Sequence, residues 1–163
     1  MTDTHQTEPI SGYPHVLIVS GMSGAGKSSA AKVLEDLGYT VVDNLPLALL
    51  GDVVDHHGAV EAPGPLAVGI DVRGGAPIDE LRALITEMLR GGVRVLLLFL
   101  DADDATLIRR YDEVRRPHPV ETPTVPESIA AERALMSDIK EAADIVIDTS
   151  RLNVHELRDR LTE

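Results

Sequence analysis

A parallel α/β sheet covered by helices on both faces is the fold this sequence predicts, and three observations predict it. Short apolar runs alternate with amphipathic helical stretches along the whole chain. The first run is uniformly apolar, as a strand buried on both faces requires. That run leads directly into a glycine-rich turn, Gly21-Met22-Ser23-Gly24-Ala25-Gly26-Lys27-Ser28, which is followed at once by a helical pattern.

The first strand spans residues 15–20, with Val16-Leu17-Ile18-Val19 as its centre. After the turn, Ala30, Val33, Leu34 and Leu37 recur at helical spacing, and Gly38 supplies the stop. Tyr39 to Asp43 form the second strand. Leu47, Leu50, Val53 and Val54 then make an amphipathic stretch that ends near Gly58. Leu66 to Asp71 form the third strand. Ile78, Leu81, Leu84, Ile85, Met88 and Leu89 mark a helix, with Pro77 at its start and Gly91-Gly92 at its end. Val93 to Leu100 form the fourth strand. Helices follow over 104–115 and 127–142, the second carrying Ile129, Leu135, Met136 and Ile139. Asp144 to Asp148 form the fifth strand. In the last helix Asn153 is the N-cap, Glu156 follows three residues on, and Val154, Leu157 and Leu161 face inward. Parallel strands joined this way take right-handed crossovers. Residues 1–14 are polar and read as a flexible tail, leaving 15–163 as one domain.

The turn carries the chemistry. It fits G-x-x-x-x-G-K-[ST], the phosphate-binding pattern, with every defined position filled. Gly24 and Gly26 permit backbone conformations with positive φ and a close approach to a ligand. Successive N–H groups then form a concave cradle for phosphate oxygens, and the helix that follows adds the positive end of its dipole. Lys27 is placed to reach the β- and γ-phosphates, and the Ser28 hydroxyl to sit on Mg²⁺.

Bulk properties narrow the classes further. The net charge of −12 argues against a broad nucleic-acid-binding surface, and the absence of cysteine excludes disulfides and thiolate metal sites. The six histidines show no metal-ligand spacing. The start of the chain has neither a basic nor an apolar segment of the signal-peptide kind. No apolar stretch approaches the ~20 residues needed to span a bilayer, so the expected location is the cytoplasm.

Ligands on parallel sheets bind beyond the carboxyl ends of the strands. Four of the five predicted strands end in aspartate: Asp43, Asp71, Asp101 and Asp148. A phosphate-loop enzyme needs one strand-end carboxylate to hold Mg²⁺. Asp71 is the first choice, because its strand lies beside the phosphate-loop strand in a five-stranded kinase-like arrangement. Asp43 is the alternative, or a base toward a second substrate. Asp101 opens the acidic segment Asp101-Ala102-Asp103-Asp104, where N-capping of a helix accounts for it. The arginines of Arg109-Arg110-Tyr111-Asp112-Glu113-Val114-Arg115-Arg116 precede a proline-rich loop, the place of a kinase lid. Arg110 and Arg116 are the candidates to bridge phosphate oxygens. A solvated, salt-bridged helix face is the competing account, given Asp112 and Glu113. Arg73 lies on the loop at the same sheet edge. No N-K-x-D segment is present to recognise guanine, and no glutamine is evidently placed to orient an attacking water, so slow hydrolysis is expected.

Several segments together resemble the RapZ (RNase adapter) family of nucleotide-binding proteins. They are Ser20 to Ser28, Leu34-Glu35-Asp36-Leu37-Gly38, Val42-Asp43-Asn44-Leu45-Pro46, Ile70-Asp71-Val72-Arg73 and Leu98-Phe99-Leu100-Asp101-Ala102-Asp103. Leu107 to Tyr111, Arg115-Arg116-Pro117-His118-Pro119 and Ala143 to Ser150 complete the match, in order across about residues 15–162. The resemblance implies a kinase-like P-loop NTPase fold that binds ATP at Gly21–Ser28. It attributes GTP binding to Asp71, Val72, Arg73 and Gly74, with Mg²⁺ as cofactor and ATPase and GTPase activity. Gly74 departs from the polar residue the family often shows there. RNA or ribonuclease partners are expected only through a second domain with a basic tail, which these 163 residues do not include. No membrane partner is expected, and self-association is left open.

Two functional readings emerge. One is a regulatory nucleotide-binding module with slow NTPase activity, or with binding alone. The other is a small-molecule kinase in which Asp43 polarises an acceptor hydroxyl under the arginine lid.

Overall fold

The structure is a computed structural model that describes residues 16–58, 64–71, 78–114 and 125–162. The apolar runs form five strands: β1 (Val16–Gly21), β2 (Thr40–Pro46), β3 (Leu66–Asp71), β4 (Val95–Asp101) and β5 (Ile145–Asp148). The helices are α1 (Lys27–Asp36), α2 (Leu50–Gly58), α3 (Ile78–Arg90), α4 (Asp104–Val114), α5 (Val125–Ala142) and α6 (Val154–Thr162). A 3₁₀ turn, Leu47–Leu49, precedes α2.

All strand pairs are parallel, in the order β2-β3-β1-β4-β5. The strand before the glycine-rich turn is therefore central, with β3 on one side and β4 on the other. The chain leaves β1 for the β2 side, and the sheet continues through β4 on the other. The turn leaves the carboxyl end of this central strand, the edge at which parallel sheets bind ligands.

Central placement explains the composition of β1, which is buried along its whole length. Ile18, Leu34, Leu50, Val68, Leu97 and Leu100 fill the aliphatic core around Phe99, the one phenylalanine of the chain. At the end of β1 the backbones crowd. A Cβ on Gly21 would overlap the carbonyl oxygen of Leu100 on β4, so only glycine fits.

Three details depart from the sequence expectations. β2 does not stop at Asp43 but runs on to Pro46. Its register shifts between Val42 and Leu45, and Asn44 sits at φ 53, so Asp43 lies within an irregular strand and does not close one. On α5, Ile129, Met136 and Ile139 are buried whereas Leu135 is 68% exposed. Leu135 is six positions from Ile129, which places it on a different face of a 3.6-residue helix. At α4 the N-cap is Asp103, whose carboxylate accepts the Thr106 amide at 2.7 Å. The α6 cap is as expected: Asn153 accepts the Glu156 amide at 2.8 Å and donates to its carboxylate at 3.0 Å. Pro77 lies outside the described residues. Among those described, no helix is long and apolar enough to cross a membrane.

Gly21→Ala is expected to destabilise the fold by about 1–3 kcal/mol through overpacking against a backbone carbonyl that cannot move aside. Thermal melts check this, and an unchanged midpoint would contradict the close approach of β1 and β4.

Candidate functional site

The turn after β1 is built by its neighbours. The Met22 amide donates to the Leu100 carbonyl at 3.0 Å, and the Ala25 amide donates to Met22 at 3.0 Å, closing a tight bend. The side chains of Met22 and Ala25 are buried and pin the bend into the core. Gly24 (φ 85) and Gly26 (φ 101) take left-handed conformations, the backbone geometry from which anion-binding nests are built.

Helix α1 then starts at Lys27, and its first regular bond is from the Ala30 amide to the Gly26 carbonyl at 2.9 Å. The amides of Lys27, Ser28 and Ser29 have no acceptor one turn back within the helix. Gly26 provides no side-chain cap, and the first turn of α1 holds no acidic residue. A helix end of this kind, beside a bend of positive-φ glycines, suits an anion. Lys27 is half-buried and the Ser28 side chain is exposed at the mouth.

Three side chains brace this turn from outside its own sequence. Thr149, just after β5, donates its hydroxyl to the Ala25 carbonyl at 2.6 Å, while its amide reaches Asp101 at 2.8 Å. Arg110 on α4 donates to the Gly24 carbonyl at 2.9 Å and to the hydroxyl and carbonyl of Thr149 at 3.1 and 2.8 Å. Glu132 on α5 accepts the Ser23 amide at 2.5 Å and the Ser23 hydroxyl at 2.9 Å.

Asp101 departs from its expected role as a helix cap. It is buried at the end of β4 and bound by Arg133 at 3.0 Å and Lys140 at 2.7 Å, both from α5. Burial by itself would raise its pKa. Hydrogen bonds from Lys140, the Ala102 amide and Arg133 outweigh this and hold the carboxyl below the usual aspartate range. Two cations already occupy this carboxylate, which leaves it poorly suited to a metal.

The remaining predicted residues divide between the site edge and what lies outside it. Asp43 is exposed, and its carboxylate accepts the Asn44 amide at 2.9 Å. That carboxylate overhangs Gly69 of β3, where a Cβ would collide with Oδ1. Asp71 closes β3 in register with Pro46, and its side chain lies outside the described atoms. Val72, Arg73, Gly74 and Arg116 lie outside the described residues. Arg110 is half-buried in contact with the turn, not on a solvated helix face, while Arg109 is exposed.

Sequence reasoning missed Glu132, Thr149, Arg133 and Lys140. One signal was available: Ile129, Glu132, Met136 and Ile139 share a helical stripe, so Glu132 is a charged residue on an apolar face.

A family model described as RapZ-like N-terminal domain matches residues 15–163. The chain belongs to the RapZ-like family. It is 49% identical over 150 residues to a "Nucleotide-binding protein" of Clavibacter michiganensis subsp. michiganensis, covering 91% of this chain and 51% of that protein. A nucleotide-binding protein of Leifsonia xyli subsp. xyli is 44% identical over 162 residues, covering 98% and 55%. The chain thus spans about half the length of these RapZ-like relatives. Among solved structures, a gluconokinase from Sinorhizobium meliloti 1021 superposes with TM-score 0.60 at 17% identity, covering 92% of this chain and 94% of its own. Shikimate kinase from Acinetobacter baumannii gives 0.58 at 17%, covering 92% and 91%. These likenesses establish a kinase-like α/β fold for the RapZ-like domain.

Asp101→Asn is expected to lower stability near pH 7 by about 1–3 kcal/mol, discounted because Arg133 and Lys140 are partly exposed. A depressed carboxyl stabilises the fold fully above the unfolded pKa of about 3.9 and loses that contribution as pH falls through the lower folded value. The variant should therefore lose less at acid pH than at neutral pH. Urea melts near pH 7 and near pH 3 check the sign. An equal loss at both would contradict the ion-pair account.

Proposed function

We propose that this chain binds ATP or GTP in the turn Gly21–Ser28 and hydrolyses it slowly, as the nucleotide-binding module of a larger regulatory protein. One observation carries the reading. An uncapped helix N-terminus opens onto a bend of positive-φ glycines, with an invitingly placed lysine at its first residue. The names of the relatives, given above, support it.

In this reading the amides of Gly24, Gly26, Lys27 and Ser28 hold the α- and β-phosphates. The Lys27 ammonium bridges β- and γ-oxygens, where charge accumulates as the terminal bond breaks. Ser28 and Asp71 are hard oxygen donors of the kind Mg²⁺ takes, and they would hold that ion. When bound, it neutralises charge on the phosphate oxygens. Arg110 fixes the outer side of the turn through Gly24. With Arg116 it supplies the planar guanidinium groups that phosphates favour. Val72, Arg73 and Gly74 follow Asp71 at the same sheet edge, and the family resemblance assigns them to GTP. No residue of the turn itself activates water, which fits slow turnover.

The position of Asp43 favours a second reading, small-molecule phosphorylation. Its exposed carboxylate overhangs Gly69 of β3, two residues before Asp71, and it would polarise an acceptor hydroxyl. ADP release from Mg-ATP, measured with and without a panel of sugars, nucleosides and small metabolites, separates the two. The module reading expects no acceptor dependence, and strong stimulation by one acceptor would replace it.

Lys27→Ala should weaken Mg-ATP binding by about tenfold or more and leave the melting temperature nearly unchanged. Titration calorimetry alongside melts checks this. Unaltered affinity would place the nucleotide elsewhere. Asp71→Asn should reduce the Mg²⁺-dependent part of the affinity alone, and if Asp43→Asn does so instead, the metal carboxylate is Asp43.

A further inference from the structure

We propose that Thr149 is a positioning residue that sets the direction of the Gly26 amide, an inference that rests on the nucleotide reading above. A trans peptide is planar, and its C=O and N–H point to opposite sides. Whatever holds the oxygen of a peptide therefore also aims the N–H of the next residue.

Three successive peptide planes make the turn from Gly24 to Lys27. The Gly24–Ala25 plane is held at both ends, its oxygen by Arg110 at 2.9 Å and its N–H by the Met22 carbonyl at 3.0 Å. The Gly26–Lys27 plane is held by the helix, whose Ala30 amide donates to the Gly26 carbonyl at 2.9 Å. The Ala25–Gly26 plane lies between them. Its oxygen accepts the Thr149 hydroxyl at 2.6 Å, from 124 positions away. Turning this plane over changes chiefly ψ of Ala25 and φ of Gly26. Gly26 sits at φ 101, and glycine takes negative φ as readily as positive. Local chain stiffness therefore does not fix this amide. A flip would put a carbonyl oxygen where the nucleotide reading needs an N–H.

Thr149 is itself held firmly. It is buried, and its amide donates to the Asp101 carbonyl at 2.8 Å. Arg110 donates to its hydroxyl oxygen at 3.1 Å and to its carbonyl at 2.8 Å. A hydroxyl has a single proton to give. That proton goes to the Ala25 oxygen, the nearer of two carbonyls, since the Asp101 oxygen lies at 3.2 Å. The guanidinium donor polarises the hydroxyl and strengthens the bond it makes. Arg110 thus secures two neighbouring planes, one directly and one through Thr149.

Titration calorimetry of Mg-ATP and of inorganic pyrophosphate tests this on the unmodified protein, Thr149→Val, Thr149→Ser and Asn153→Ala. Valine keeps the shape of threonine without the hydroxyl, and serine keeps the hydroxyl. Thr149→Val should weaken both ligands by a similar factor, on the order of tenfold. Thr149→Ser should bind both within about threefold of the unmodified protein. Asn153→Ala removes the α6 cap, so it should lower the melting temperature and leave both affinities unchanged. In ligand-free labelled protein the Gly26 amide signal should move in Thr149→Val and stay in place in Thr149→Ser. If Thr149→Val does not fold, Arg110→Met carries the test through the same Gly26 signal, which should move.

An unmoved Gly26 signal, unaltered affinity in Thr149→Val, or an equal loss in Thr149→Ser would overturn the role of Thr149 while leaving the nucleotide site standing. A matching loss in Asn153→Ala would do the same, because affinity would then follow stability alone. Failure of the unmodified protein to bind either ligand would overturn the site reading and this inference with it.

Discussion

The site depends on a helix N-terminus that follows a bend of positive-φ glycines and that Gly26 leaves without a side-chain cap. A helix that begins at Lys27 with no side-chain cap carries an electrostatic cost unless water or an anion meets its first turn. Everything around that helix end preserves its shape. Gly21 admits the β4 backbone, Met22 and Ala25 anchor the bend in the core, and Thr149 and Arg110 hold its carbonyls from outside. The bonds from Thr149 and Arg110 are spent on carbonyl oxygens of the turn.

Helix α5 brings charged side chains to the turn and to the end of β4. One stripe of this helix packs Ile129, Met136 and Ile139 against the sheet. On that stripe Glu132 meets the turn, and beside it Arg133 and Lys140 meet Asp101. The same helix thus links the end of β4 to the third residue of the turn. Buried charges are costly when unpaired, so this arrangement holds α5 in one position relative to β1 and β4. A site whose members are fixed by such pairs is preorganised for charged ligands, and it needs no large rearrangement to receive them.

Most of the fold was legible in the sequence because its signals are local. The phosphate-loop pattern, the strand–helix alternation, the stop after α1 and the Asn153 cap each occupy a few neighbouring residues. What was not legible joins distant ones. Arg110 and Gly24 are separated by 86 positions, and Glu132 and Ser23 by 109. No spacing rule spans such distances. Asp101 illustrates the point: its acidic neighbours suggested a helix cap, but Asp103 two residues later took that role. The strand end placed Asp101 under two cations from α5. β2 ran past Asp43 because the shift of register at Asn44 allowed Leu45 and Pro46 to pair again with β3, which an apolar-run count cannot foresee.

The central claim concerns particular amide protons, so amide-resolved NMR tests it most directly. Titrating Mg-ATP into isotopically labelled protein should produce its largest shifts at the N–H groups of Gly24, Gly26, Lys27 and Ser28. Inorganic pyrophosphate should move the same signals. Perturbations centred on another part of the molecule, or none at these amides at saturating nucleotide, would contradict the account.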